Sequence, residues 1–110
     1  MLVVNRFLVA ADTERDFTER ADAALRALAA RDGFVRARLG RAADDPGHWC
    51  LVTEWRSVGA YRRALSAYDV KLYATPLLAE AIEEPSAYEV LATTDGEAVS
   101  YAASDRASDD

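Results

Sequence analysis

The stretch Leu2-Val3-Val4-Asn5-Arg6-Phe7-Leu8-Val9 constrains the fold more than any other part of the chain. Its branched and aromatic residues read as a β-strand, whose side chains alternate between the two faces of a sheet. Val3, Asn5, Phe7 and Val9 then share one face, and Leu2, Val4, Arg6 and Leu8 share the other. Apart from Asn5 and Arg6 both faces are apolar, so both need cover. Helices from a chain this short cover one face. A second copy of the chain is the economical cover for the other, and a symmetric homodimer is expected.

The pattern then alternates. Asp12 and Thr13 are N-cap candidates, with Asp16 three residues after Thr13 as an acidic variant of the capping box. Phe17, Ala21, Ala24, Leu25 and Leu28 follow at helical spacing, and Gly33 is the stop. A second strand runs from Phe34 to Arg41, with Val35, Ala37 and Leu39 alternating against Arg36 and Arg38. Asp44-Asp45-Pro46-Gly47 is a turn, and His48 to Trp55 is a third strand with Trp49, Leu51, Thr53 and Trp55 on one face. Ser57 caps the next helix, whose inward positions are expected at Tyr61, Leu65 and Tyr68. A further helical stretch covers Asp69 to Glu84, broken where Thr75 would cap a new helix opening with Pro76. Ala87 to Thr93 is the last strand. The order βαββ(αα)β is α+β and ferredoxin-like, an antiparallel sheet with helices on one face.

Composition narrows the function. At 110 residues the chain is read as one domain over residues 1–93, followed by an acidic, flexible tail over 94–110. Net charge is −6, of which the stretch from Thr94 onward carries −4, so a phosphate backbone is a poor partner and no nucleic acid is expected. No apolar run reaches the ~20 residues that cross a bilayer, and Met1 to Arg6 has no basic region ahead of an apolar stretch. Neither a membrane nor a secretory route is expected. The single Cys50 excludes an internal disulfide and fits a cytoplasmic protein; it is read as a buried, inert thiol. No phosphate loop, dinucleotide fingerprint or zinc spacing appears, and no metal site is expected.

Two features point to a pocket. Trp55 closes a strand and Tyr61 lies six residues on, in the first turns of the next helix, so two flat rings meet at one rim of the sheet. Asn5 is an amide inside an apolar strand. Left unpaired, it would cost about 1–3 kcal/mol, so it either bonds to neighbouring backbone or serves a ligand.

With Val4-Asn5-Arg6-Phe7, Asp32-Gly33-Phe34, Val52-Thr53-Glu54-Trp55-Arg56-Ser57 and Ala60-Tyr61 in place, residues 1–93 resemble the antibiotic biosynthesis monooxygenase family, small proteins that form a dimeric α+β barrel. In its haem-degrading branch a strand asparagine and a tryptophan flank the ring, matching Asn5 and Trp55, while a histidine ligates iron. That histidine falls at or beside Thr75, which cannot replace it, so haem is not expected. In the polyketide-oxidising branch Trp55 and Tyr61 match the pocket, while an asparagine would fall at Leu51 and an arginine near Thr75; both are missing. The resemblance implies a cofactor-independent monooxygenase that joins dioxygen to a flat phenolic, quinol or polyketide-like ring. Asn5 and Trp55 would be catalytic, Asn5 binding the oxygen that becomes anionic. Trp55 and Tyr61 would hold the ring, with Phe7, Leu51, Thr53, Tyr73 and Thr75 lining the walls. The first alternative is a non-catalytic dimeric small-molecule-binding or accessory protein of the same fold; a haem-degrading monooxygenase ranks third, for want of the iron-ligating histidine.

Overall fold

A computed structural model describes residues 1–103 of the chain. Four strands, β1 (Leu2–Leu8), β2 (Phe34–Arg41), β3 (His48–Trp55) and β4 (Ala87–Tyr88), make one antiparallel sheet in the order β2-β3-β1-β4. Helix α1 (Glu14–Ala29) links β1 to β2, and α2 (Val58–Leu65), α3 (Tyr68–Tyr73) and α4 (Thr75–Leu78) follow β3. This is the ferredoxin-like α+β arrangement, with the helices on one face of the sheet.

Register sets the core. Across the β1–β3 ladder Val3 faces Thr53, Asn5 faces Leu51 and Phe7 faces Trp49. Val3, Phe7, Leu51, Thr53 and Trp55 are buried against Phe17, Ala21, Ala24 and Leu28 of α1, Val70 of α3 and Leu77 of α4. The small residues along α1 let the helix lie close to the strands. On the opposite face Leu2, Val4, Cys50 and Val52 are only half-buried. Cys50 is therefore not the sealed thiol its sequence suggests, because its strand position points away from the helices.

Several expectations give way to local chemistry. The Thr13 hydroxyl donates to the Ala10 carbonyl at 3.0 Å within a 3-10 turn, so it does not cap α1 and no capping box forms. An irregularity between Phe34 and Arg36 shifts the β2 register. Phe34 thereby packs inward and Val35 is 42% exposed. The Ser57 hydroxyl does cap α2, accepting from the Ala60 N–H at 3.0 Å. That helix ends early, since Ala67 is extended at ψ 142° and Tyr68 opens α3 facing outward, 77% exposed.

The break near Pro76 falls at Ala74, and the Thr75 hydroxyl caps nothing. Helix α4 stops at Leu78 rather than Glu84. The chain then returns to the sheet: the Ile82 N–H donates to the Arg6 carbonyl at 2.7 Å, and the Val4 N–H to the Ser86 carbonyl at 2.7 Å. Only Ala87 and Tyr88 of the expected last strand pair with β1. Residues β5 (Ala92–Thr94) and β6 (Val99–Tyr101) instead form a hairpin around Gly96, whose φ is 104°. That hairpin crosses the expected boundary at residue 94, while positions 104–110 of the acidic tail lie outside the described residues. Among the described residues no helix is long and apolar enough to cross a membrane.

Candidate functional site

Four pieces of chain converge on one open cavity of about 670 Å³, a size suited to a multi-ring ligand. From α2 come Tyr61 and Leu65, one turn apart and oriented by the Ser57 cap. From α3, α4 and the residue after them come Lys71, Thr75, Leu78 and Ala79, whose spacing keeps them on one helical stripe across the break at Ala74. Asn5 rises from the inner face of β1, and Ser86 from the segment bonded to Val4.

The Asn5 side chain has no hydrogen-bond partner among the described residues, and none of their buried side-chain nitrogen or oxygen atoms is left unsatisfied. Its amide is therefore not sealed in the core but opens to the cavity. The Tyr61 phenol is pushed above its ordinary value of 10.0 by burial, so it stays protonated at neutral pH and presents a donor.

Trp55 is 1% exposed and does not border the cavity. Its indole N–H donates to the Thr53 hydroxyl at 2.8 Å, and its ring lies 5.5 Å from that of Tyr61 and 5.3 Å from that of Phe34. It forms a floor beneath Tyr61. Phe7, Leu51 and Thr53 are likewise buried, with Phe7 edge-on to Phe17 at 5.1 Å. Tyr73 points elsewhere: it is 51% exposed and borders a separate hollow with Ala23, Arg26, Ala27, Ala30 and Asp69. Of the residues singled out from sequence, the fold brings Asn5, Tyr61 and Thr75 together at the cavity. It leaves Trp55, Phe7, Leu51 and Thr53 behind the wall, and Tyr73 apart.

Sequence reasoning missed Lys71 and Ser86. No signal marked Lys71, the only lysine in the chain, because α3 is too short for its periodicity to fix a face. Ser86 had none either, since it reaches the cavity through an irregular segment. A haem does not fit this donor set. The wall offers amide, hydroxyl and ammonium groups and a phenol held protonated, while the single histidine, His48, lies across the sheet beside Cys50 and Asp45. Among the described residues no cluster of three or more metal-ligating side chains occurs.

These features match known proteins. The family profile described as antibiotic biosynthesis monooxygenase covers residues 1–75. No curated sequence matches significantly. Among solved structures, SnoaB from Streptomyces nogalater, a cofactor-independent oxygenase, is 29% identical with a TM-score of 0.65, covering 82% of this chain and 94% of its own. A mutant of SnoaB aligns at 30% identity and a TM-score of 0.64, over 74% of this chain and 82% of its own. A Mycobacterium tuberculosis protein is 26% identical with a TM-score of 0.63, over 88% and 97%. With its profile match spanning more than half its length and its sheet order, the chain belongs to the antibiotic biosynthesis monooxygenase family.

Proposed function

We propose that the protein is a cofactor-independent monooxygenase acting on a flat phenolic, quinol or polyketide-like aromatic molecule with dioxygen. The unpartnered Asn5 amide in a largely apolar cavity carries this reading. Such rings, once deprotonated, are electron-rich enough to react with dioxygen. When a ring methylene becomes a carbonyl, the substrate supplies all four electrons, one oxygen atom enters the product and the other leaves as water. The protein then has to hold the ring, stabilise the anion and keep water out. Asn5 donates to the oxygen that becomes anionic, Tyr61 presents its ring and a protonated hydroxyl, and the half-buried Leu65 and Leu78 give the ring an apolar wall. Trp55 acts by fixing Tyr61 from below. The family membership and the likeness to SnoaB support the reading.

The same reading has two copies pack through the half-buried outer face of Leu2, Val4, Cys50 and Val52, which light scattering in solution tests. Oxygen consumption with anthrones and hydroquinones tests the chemistry. Uptake that saturates with substrate and proceeds without added metal or flavin is the expected result. A non-catalytic binding role is the competing reading, favoured by the burial of Trp55 and the use of its N–H by Thr53. Saturable ligand binding with no oxygen uptake from either substrate class would establish it.

A further inference from the structure

The cavity wall carries one charged side chain. Lys71 is exposed on α3, one turn before Thr75, and no acid pairs with it among the described residues. Among the described residues, Arg6, Arg15, Arg20, Arg26, Arg36 and Arg41 each have a carboxylate within 4.0 Å, while Arg31, Arg38, Arg56, Arg62 and Arg63 have none; Lys71 differs from these last in bordering the cavity. The nearest acid along the helix, Asp69, cannot serve: residues two apart do not share a helical face, and Asp69 borders the hollow on the α1 side with Tyr73. Outside the acidic stretch from Thr94 onward the chain carries only −2, and Lys71 is the one cation that lines this cavity.

The rest of the wall describes what that ammonium would meet. Leu65, Leu78 and Ala79 are apolar, the Tyr61 ring is flat, and Asn5 enters from the sheet rather than the helical layer. A ligand filling this space has an aromatic body and one negatively charged oxygen. We propose that Lys71 makes the cavity a site for aromatic acids, its ammonium pairing with a carboxylate attached to the ring system. This deepens the oxygenase reading and rests on it for the identity of the site, but not for the chemistry of recognition. A phenolate would offer the same charge. A carboxylate is favoured because it is ionised throughout the neutral range, whereas a phenol needs the protein to remove its proton.

The test is calorimetric binding of anthraquinone-2-carboxylate and its neutral carboxamide at pH 7.5 to the intact protein and to Lys71→Met and Lys71→Arg. Anthraquinones are already oxidised, so binding is read without turnover. The acid is expected to bind about fivefold or more tightly than the amide, as a charge-assisted contact at a partly open site would give. Lys71→Met should lose that preference, Lys71→Arg should keep most of it, and added salt should shrink it. Lys71→Gln provides a second neutral variant, and thermal melts confirm that each is folded. Equal binding of acid and amide by the natural protein, a preference that survives in both neutral variants, or no binding of either compound would overturn the proposal. A 2-naphthol arm separates the two sources of charge: a Lys71-dependent preference for naphthol over naphthoate near the phenol's own pKa would assign the site to phenolates and overturn the carboxylate. Oxygen uptake is scored separately. A Lys71-dependent preference without uptake keeps the acid site and removes the oxygenase, while uptake from neutral anthrones without any acid preference does the reverse.

Discussion

The indole N–H of Trp55 donates to the Thr53 hydroxyl two residues earlier on the same strand, at 2.8 Å, with both side chains sealed from solvent. Strand alternation makes the pair possible by placing i and i+2 on one face. The bond uses the one polar atom of Trp55, so the ring works through packing, against Phe34 on one side and Tyr61 on the other. Thr53→Val keeps the shape and removes the acceptor. It should cost about 1–3 kcal/mol in urea unfolding, because a buried donor is left unmet. Trp55→Phe should lower stability and also loosen Tyr61, visible as weaker ligand binding.

Asn5 behaves in the opposite way. Its amide has no partner to lose, so Asn5→Ala should change unfolding free energy by no more than about 0.5 kcal/mol. If the proposed chemistry holds, oxygen uptake should fall by roughly 10²–10³, the usual effect of deleting one donor to a developing oxyanion. Unchanged uptake in a folded variant would remove Asn5 from the mechanism.

Burial raises the Tyr61 phenol above 10.0, and the sign of the consequence follows from linkage. In the unfolded chain the phenol loses its proton first, so the folded state binds more protons above that value. The stabilisation is whole below pH 10, declines as pH rises beyond it, and is gone above the folded value. Tyr61→Phe should flatten the alkaline limb of a stability–pH curve while leaving the neutral region nearly level. Absorbance titration of the natural protein against Tyr61→Phe should assign to Tyr61 a phenol that ionises above 10.0.

Two glycines should respond in opposite directions to alanine. Gly33 sits at φ 86°, and a Cβ there would lie 2.4 Å from the Ala60 Cβ, so Gly33→Ala combines backbone strain with a clash against α2. A loss of roughly 2–4 kcal/mol is expected. At Gly59, inside α2, the closest atom to an added Cβ is Nη1 of Arg63 at 3.2 Å, the far end of a flexible side chain. Gly59→Ala should raise stability by up to about 1 kcal/mol through helix propensity. Thermal melts of the two variants decide both.

The three long strands were legible from their branched and aromatic residues: β2 and β3 have the bounds their sequence suggests, and Trp55 faces inward as its strand parity demands. Parity failed at Val35, where an irregularity not marked by glycine or proline reverses the faces. Tyr68 failed for a related reason. A helix assumed to continue past Leu65 would bury it, and only the extended Ala67 turns it out. At the cavity, Asn5 and Tyr61 were readable as polar or amphipathic groups on otherwise apolar faces. Lys71 was not, because α3 is six residues long and one turn has too little periodicity to show which way a side chain looks. Leu51 and Thr53 were placed on the correct face but assigned to a wall that the helices pack against rather than leave open.

That single lysine also gives the protein a built-in reporter. A lysine-specific protease has one peptide bond to cut in the whole chain, between Lys71 and Leu72, inside a short helix that forms the edge of the cavity. Proteases need an extended backbone, so the bond is severed only when α3 unwinds, and the cutting rate measures how often that edge opens. A ligand spanning from Asn5 to α3 would slow the cut in proportion to its occupancy. One band on a gel would then report both the mobility of the rim and the filling of the site.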